Sequence, residues 1–513
     1  MIVALLMCLS ACTGEPPAAP ALPALPPRVD RTVAVPVGEP RPMVQLALAL
    51  TGEVRGEIEP CGCPTVPYGG FVRREGFLAT LRAEDAPLFV LDAGEMLLKA
   101  TDVAGRRARA ETVLDLAAGT GLDAWAAGPL DLVPGGPVLL QGTHALSANW
   151  RTAGAPVLPA VRVITRGGVR LGVIGVSGTA SAFESTDAVR AVRDALVPAS
   201  ADAWVVLSNA DPGVTQAVAE GVPELGLVVS LRGEGRDAPR TTRGAPIVET
   251  VDRGKWVTVV RAFVAAAPGP WRLAEKGEVK AVADLTRAAA SSAGEGTRTA
   301  RVAELAEARA RLAGSLAGQS WMVVEDQPLG SEFDAGGPTR ARVEAFKQRS
   351  VVAAAERVET ASEPTYGTAG YCTRCHDAFT ARWVGQPHAR ALEALVAKGE
   401  AKNPECVGCH TTGWGEPGGF SEPTTTAQMT WKGVQCEACH GPLAAHPNGS
   451  AEPRAVTKET CLRCHDAANS PAFDYERYRL GVGCVQLLAD RKTGAAPSVP
   501  PPVKPVPPPV SPR

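Results

Sequence analysis

The chain has 513 residues, a formal net charge of −2 at pH 7, and a composition that is 45% hydrophobic. This length leaves room for two or three domains. The near-neutral charge lacks the basic excess typical of nucleic-acid-binding proteins, so we expect no nucleic-acid partner.

The first 12 residues are apolar and end in the sequence Leu-Ser-Ala-Cys12. This pattern is typical of a bacterial lipoprotein signal, which is cleaved before the cysteine so that its thiol can carry lipid. We therefore expect an exported protein anchored to the membrane through lipid on Cys12, at the periplasmic or outer-membrane face of the cell envelope. Residues 13–42 are rich in Pro and Ala, which predicts an extended tether.

Residues 43–275 alternate apolar runs with segments of helical or loop character. Such alternation predicts an α/β sandwich with largely buried sheets. The predicted strands cover residues 43–50, 88–92, 162–165, 169–176, 204–208, 225–230 and 256–265.

Short motifs follow several of these strands. They include Leu50-Thr-Gly-Glu-Val-Arg-Gly56, Gly69-Gly-Phe-Val-Arg-Arg74, Leu91-Asp-Ala-Gly-Glu95 and Leu146-Ser-Ala-Asn149. Their order resembles the calcineurin-like metallophosphatase domain of the 5′-nucleotidase family. The resemblance implies a site for two metal ions, held by an Asp-x-His, a Gly-Asp, a Gly-Asn-His and later histidines.

The positions that the resemblance assigns to metal ligands hold other residues in this chain. They are occupied by Glu53, Arg55, Glu95, Pro129, Leu130 and Asn209. His144 is the only histidine of the region. A dinuclear hydrolase needs metal to activate water and to stabilise phosphoryl charge, and one imidazole cannot assemble such a site. We therefore predict a metallophosphatase-like fold that has lost its metal site and has no hydrolase activity.

Cys61 and Cys63 lie one residue apart, just after the first predicted strand. In an exported protein these thiols can form a local disulfide, bind a metal, or pair with cysteines elsewhere. A structural cross-link of the loop is favoured over a redox or metal role.

Two helical patterns follow, at residues 278–316 and 338–360, and both are rich in Ala, Arg and Glu. Their apolar residues recur at helical spacing. They predict a helical connector over residues 276–365.

Four copies of the pattern Cys-x-x-Cys-His lie between residues 372 and 465. This pattern attaches c-type haem, because the two thiols bond to the haem vinyl groups and the adjacent imidazole binds the iron. A zinc ribbon or a redox dithiol does not require a His after each pair. We therefore expect four covalently bound haem c groups. The attaching thiols are Cys372, Cys375, Cys406, Cys409, Cys436, Cys439, Cys461 and Cys464, and the proximal iron ligands are His376, His410, His440 and His465.

Two further histidines, His388 and His446, lie between the patterns and are candidates for distal iron ligands. The intervening chain is rich in Gly and Pro, which favours short helices joined by irregular segments. We expect a mainly α-helical and irregular multihaem domain over residues 366–490, followed by a Pro-rich tail over residues 491–513.

The surroundings of the patterns read Trp-Val-Gly-Gln-Pro-His388-Ala-Arg-Ala and Gly433-Val-Gln-Cys-Glu-Ala-Cys-His-Gly-Pro. Over residues 366–484 this spacing resembles the cytochrome c-554 family of tetrahaem electron carriers. The resemblance implies that His446 binds the iron of His376 and that His388 binds the iron of His440. It also implies that the iron of His410 has an open distal position.

In the resembling family the fourth haem takes a histidine from downstream of its own pattern, but no histidine follows His465 here. Cys484 falls roughly where that ligand would lie. Its thiolate is therefore a candidate ligand of the fourth iron. An open iron, a disulfide and a structural thiol are the alternatives.

The favoured function is electron transfer through the haems, with redox proteins as partners. The alternative is a haem enzyme that reduces or oxidises a small nitrogen or sulfur species at an open iron. A metallophosphatase or nucleotidase is disfavoured by the missing ligands.

Overall fold

The computed structural model describes residues 44–60, 67–84, 86–97, 105–133, 136–196, 200–231, 239–250, 252–265, 268–274, 277–291, 294–315, 318–359, 365–420, 432–465, 470, 472–482 and 484. Cys12, the predicted tether, Cys61, Cys63 and the Pro-rich tail lie outside these residues. Within the described part of the chain, no helix is both long and apolar enough to cross a membrane.

The strands are β1 (Val44–Thr51), β2 (Leu88–Asp92), β3 (Ala124–Ala126), β4 (Ala145–Leu146), β5 (Trp150–Thr152), β6 (Ala155–Pro156), β7 (Val161–Arg166), β8 (Val169–Val176), β9 (Glu184–Ser185), β10 (Ala203–Ser208), β11 (Leu227–Leu231), β12 (Ile247–Thr250), β13 (Trp256–Val264), β14 (Arg272–Leu273) and β15 (Trp321–Pro328). The helices are α1 (Phe71–Arg82), α2 (Arg106–Gly119), α3 (Ala188–Ala195), α4 (Pro212–Gly221), α5 (Glu278–Ser291), α6 (Glu295–Ser315), α7 (Pro338–Glu359), α8 (Ala369–Val384), α9 (Ala391–Val396), α10 (Pro404–His410), α11 (Cys436–His440), α12 (Lys458–Leu462) and α13 (Tyr475–Gly481).

Two large sheets pack face to face and form the α/β part of the chain. The seven-stranded sheet has the order β14-β15-β13-β1-β2-β3-β4, and the five-stranded sheet has the order β12-β11-β10-β8-β7. Because side chains alternate across a strand, Leu48 of β1 faces Val205 of the second sheet within one apolar layer. Ala47 and Ala49 point the other way and pack beneath helices, with Leu78 of α1. The predicted α/β sandwich is confirmed.

The carboxyl ends of several strands meet at one edge of this sandwich. β1 pairs in parallel with β2, β2 with β3, and β10 with β8 and β11. The loops that leave these ends carry Glu53, Glu95 and Asn209. In α/β folds, ligands bind at this edge, so the topology collects the altered metal-ligand positions in one cleft.

The predicted helical connector is corrected by the structure. The region does hold three helices, α5, α6 and α7, but it also contains β15, which pairs antiparallel with nearly the whole length of β13. Helix α7 contributes Val343 and Phe346 to the core beneath α1. Residues 277–359 are therefore built into the α/β domain and are not a separate arm.

The region after residue 365 is made of short helices and irregular segments, as predicted. Thr368 caps α8 by accepting a hydrogen bond from the amide of Tyr371. A small apolar cluster holds α9, α10 and the loop that follows α10 together. It consists of Leu392, Leu395, Val407 and Phe420.

Candidate haem-binding site

Each Cys-x-x-Cys-His pattern lies on or at the end of a short helix. α8 carries the first pattern, α10 the second and α11 the third, while the fourth begins in α12 and ends just beyond it. One helical turn places the two thiols of a pattern on neighbouring positions, with the histidine following directly. Near the end of the first pattern, His376 leaves helical geometry (φ −121°, ψ 41°) and kinks α8.

The imidazoles of four of the six candidate histidine ligands are oriented by hydrogen bonds at Nδ1. A ligand histidine commonly engages its other ring nitrogen in this way, which fixes the tautomer and the ring orientation and leaves Nε2 for the metal. The pairs are His410 with the carbonyl of Ala391 (2.7 Å), His440 with that of Arg454 (3.2 Å), His446 with that of Ala451 (3.0 Å) and His465 with Oγ of Ser470 (3.1 Å).

The rings of His388 and His465 lie next to each other, with their centroids 6.0 Å apart. Two imidazoles that bind one metal from opposite sides have ring centres roughly 6 Å apart when each metal–nitrogen bond is about 2 Å. This spacing fits one iron between them. The family resemblance implied that His388 binds the iron of His440; in the structure the ring of His388 lies beside that of His465, and His388 also interacts electrostatically with His410.

The other candidate ligands lie near the first and third patterns. The thiols of Cys372 and Cys436 are hydrogen bonded to each other, and His446 interacts electrostatically with Cys372. The placement of His446 beside the first pattern agrees with its expected role on the iron of His376. Cys484 interacts electrostatically with Cys436 and with Cys439. Cys439 interacts in the same way with Cys461 of the fourth pattern, so the thiol of Cys484 lies near the place where the third and fourth patterns adjoin.

The apolar residues around the patterns also fit a large prosthetic group. Val384, Val396 and Leu480 are 58%, 57% and 46% exposed, although each lies on or at the end of a short helix of this region. Soluble proteins rarely leave several large apolar side chains exposed in one small domain without a partner for them. Haem macrocycles would cover such side chains and would extend the small apolar cluster of this region. The residues present thus fit covalently bound haem.

The cleft of the α/β domain holds an ion pair where the resemblance implied metal. Nη2 of Arg55 lies 2.6 Å from Oε1 of Glu53. Glu53, Arg55 and Glu95 adopt left-handed backbone conformations, with φ of 50°, 48° and 56°. Such conformations cost of order 1–3 kcal/mol for residues other than glycine and cluster at functional sites. The loops keep the geometry of a binding cleft, although the described residues bring no three His, Cys, Asp or Glu side chains together to hold a metal ion.

Asn209 closes the floor of this cleft. Its Nδ2 donates to the carbonyls of Ala93 (3.1 Å) and Ala126 (3.0 Å), and its Oδ1 accepts from the amide of Gly178 (2.8 Å). The side chain therefore ties together the ends of three strands. Every polar atom of the amide is used within the protein.

A second buried polar group lies under the same loops. Asp131 is fully buried and accepts hydrogen bonds from four backbone amides, those of Glu95, Met96, Leu97 and Gly128. Next to it, burial and the charge of Asp131 raise the pKa of Glu95 to about 8. Asp131 ends the stretch Ala127-Gly-Pro-Leu-Asp131, which also belongs to the motifs that resemble the metallophosphatase domain, but the sequence assigned its carboxylate no role.

Residues 371–441 match the family described as cytochrome c554 and c-prime. The cytochrome c-554 of Nitrosomonas europaea is 35% identical to this chain over 74 residues, which make up 12% of this chain and 32% of that protein. The chain therefore spans about a third of the length of this curated relative. The predicted resemblance to the cytochrome c-554 family is confirmed for this segment.

Solved structures similar to the chain include hydrolases. A 5′-nucleotidase precursor from Thermus thermophilus has a TM-score of 0.41 and 16% identity, covering 61% of this chain and 60% of that one. The sulfate thiohydrolase SoxB from Thermus thermophilus, in complex with glycerol, has a TM-score of 0.43 and 16% identity, covering 70% of this chain and 69% of its own.

The fold and the site together define a class of protein. The chain joins an α/β domain built on two packed sheets to a c-type cytochrome segment. Within that segment, residues 371–441 are similar to the cytochrome c-554 family.

Proposed function

We propose that the protein is an exported multihaem cytochrome that carries electrons through four covalently bound haem c groups. The observation that carries the proposal is the set of four Cys-x-x-Cys-His patterns on short helices, three of whose histidines have Nδ1 already engaged. When bound, haem iron supplies one-electron redox chemistry.

The residues of the chain have distinct tasks in this proposal. The cysteine pairs hold the macrocycles covalently, and the histidine after each pair binds the iron. The hydrogen bonds at Nδ1 hold the rings in place and make them stronger donors to iron. His446 serves the iron of His376, and His388 serves the iron of His465.

Cys484 is the proposed distal ligand of the iron of His440. The chain has 7 histidines, and after His144, the four proximal ligands and the two distal ligands are assigned, none remains for the irons of His410 and His440. The thiol of Cys484 lies beside the third pattern. Thiolate is a strong electron donor to iron, so this ligand would lower the potential of that haem.

The α/β domain acts in this proposal as a scaffold and docking module for redox partner proteins. Its cleft is closed by Asn209 and by the ion pair of Arg55 with Glu53. A hydrolytic role would need metal at this place. The site that moves electrons lies in the cytochrome segment.

A second candidate function is a haem enzyme acting on a small nitrogen or sulfur species. The observation that favours it is that no histidine of the chain is left over for the iron of His410. An open iron can bind a small molecule. Steady-state assays with nitrite, hydroxylamine and nitric oxide, compared with reoxidation by a carrier protein, separate the two functions.

The haem count tests the main proposal. A pyridine haemochrome assay on protein matured in a host that attaches c-type haem should give four haems per chain. Double Cys→Ala variants of each pattern in turn should each remove one haem. Two or fewer haems in the intact protein would refute the proposal.

We also propose that lipid on Cys12 anchors the protein to the cell envelope, because the first 12 residues have the pattern of a lipoprotein signal. Labelled fatty acid should be incorporated into the wild-type protein and not into Cys12→Ser. If salt releases the wild-type protein and Cys12→Ser from membranes equally, the proposed lipid anchor is contradicted.

A further inference from the structure

A buried polar junction joins the cleft loop of the α/β domain to the cytochrome segment. Glu59 lies on the loop that follows β1, four residues after Arg55. Its Oε1 is 2.6 Å from Nζ of Lys347 on α7, and both side chains are largely buried, at 18% and 17% exposure. Its Oε2 accepts a hydrogen bond of 2.6 Å from Nδ2 of Asn403, in the cytochrome segment.

Asn403 stands at the start of the helix that carries the second haem pattern. The residue is buried, and its backbone carbonyl accepts the amides of Cys406 and Val407, each at 3.0 Å. These are the first bonds of α10, so the position of Asn403 sets where the helix begins. Its side chain also donates to Glu400 at 2.9 Å, which leaves the amide group held from two sides.

The far end of the same helix is fixed within the cytochrome segment. His410 is bound through Nδ1 to the carbonyl of Ala391, and Val407 is fully buried in the small apolar cluster. At the start of α10, Asn403 is hydrogen bonded to Glu59 of the α/β domain. A carboxylate that bridges an ammonium and an amide at short distances is a strong contact when it is shielded from water.

We infer that Glu59, Lys347 and Asn403 form a junction through which the α/β domain sets the position of the second haem, with Glu59 as a positioning residue. The inference rests on the proposed attachment of haem at Cys406 and Cys409. The loop after β1, which carries the altered metal-ligand positions Glu53 and Arg55, therefore also contacts the helix that carries the second haem pattern. A cofactor fixed to α10 follows any displacement of that helix.

The test uses substitutions in the α/β domain alone, in the full-length haem-loaded protein. Glu59→Ala removes both contacts, and Glu59→Gln keeps an oxygen that can accept from Asn403. The matched control is Glu111→Ala, since Glu111 is exposed and pairs with Arg107 of its own helix at 2.9 Å. Potentiometric titration followed by absorbance and electron paramagnetic resonance measures the haems, and hydrogen exchange measures the amides of α10.

Glu59→Ala should shift the potential and the resonance signal of one haem and leave the others unchanged. It should also make the amides of Cys406 and Val407 exchange about tenfold faster, which corresponds to about 1.4 kcal/mol. Glu59→Gln should have nearly the wild-type haem potential and the wild-type exchange rates of these amides, and Glu111→Ala should change neither the potential nor the rates. If Glu59→Ala yields too little folded protein, Lys347→Gln takes its place, since it breaks the ion pair with Glu59 from the other side and should shift the same haem relative to the Glu111→Ala control.

Three results would overturn the inference. They are a Glu59→Ala protein that matches the Glu111→Ala control, an equal change at every haem, and faster exchange with no change at any haem. The haem count of the wild-type protein is measured first. A wild type that carries no haem on the second pattern refutes the proposed function, whereas hydrogen exchange still reports on the junction itself.

Discussion

Asp131→Asn should strongly destabilise the α/β domain without touching the haem-binding region. One carboxylate oxygen accepts from the amides of Met96 (2.7 Å) and Leu97 (2.9 Å), and the other accepts from those of Glu95 (3.0 Å) and Gly128 (2.8 Å). An Asn side chain offers one acceptor oxygen and one amino group. Whichever way it turns, two buried backbone donors then face another donor.

Each buried donor left without an acceptor costs about 1–3 kcal/mol. The two donors together should lower the free energy of unfolding by about 2–6 kcal/mol, against a total of about 5–15 kcal/mol for a typical protein. Urea unfolding followed by tryptophan fluorescence suits the measurement. The domain contains the buried residues Trp125, Trp150 and Trp204.

Asp194→Asn is the matched control, because the side chain of Asp194 is 73% exposed and its ion pair with Arg190 is long, at 3.8 Å. This change should alter the unfolding free energy by no more than about 0.5 kcal/mol. If Asp131→Asn behaves like the control, the buried carboxylate does not organise the cleft and the reasoning fails.

Further outcomes are expected. His388→Ala should convert one low-spin haem into a high-spin haem, because its ring lies next to that of His465; an unchanged resonance spectrum would show that the two rings do not share an iron. Cys484→Ser should remove a thiolate-type low-spin signal and raise the potential of one haem, and an identical spectrum would reject the ligand role. Burial and the charge of Asp131 raise the pKa of Glu95 to about 8 in the folded protein, whereas the pKa of an unfolded Glu is about 4.3. Between these two pH values the folded state binds more protons than the unfolded state, so the free energy of unfolding falls as pH rises. Glu95→Gln should flatten this fall in urea titrations, and equal slopes in both proteins would count against it. The protein should not hydrolyse nucleotides with added manganese or zinc, and metal-dependent turnover that Glu53→Ala abolishes would prove the cleft active.

Strands such as β8 and β10 could be predicted because their residues form unbroken apolar runs, whereas short strands such as β3 and β12 were not predicted. β8 and β10 are buried on both faces, so nearly every side chain in them is apolar. Such runs are typical of sheets covered on two sides. The predicted and observed bounds of these strands differ by at most one residue.

β15 could not be predicted in the same way, because polar residues interrupt its pattern. Glu325 is half-buried and Asp326 is exposed, in the part of β15 that pairs with β13 on one side only. They are satisfied by residues of β13, with Arg261 donating to Glu325 at 2.8 Å and Thr258 to Asp326 at 2.6 Å. These partners lie more than 60 residues away in the chain, and local periodicity cannot reveal them.

The cysteine patterns and their histidines are visible in the sequence because the chemistry of attachment fixes their spacing. The iron that each remaining histidine would bind cannot be predicted in this way. Which iron His388 can reach depends on how α8 and the segment after α12 fold toward each other, and spacing along the chain does not contain this information. The position of Cys484 beside the third pattern is unpredictable for the same reason.

The pairing of β15 with β13 also determines when the larger sheet can close during synthesis. Strand β13 remains an edge strand, with a row of open hydrogen-bonding groups, until residue 328 has been made. A fragment that stops at residue 275 would keep that edge permanently and would tend to add strands from other copies of itself. An expression boundary after Glu359 retains both β15 and α7, and it keeps β13 paired along nearly its whole length.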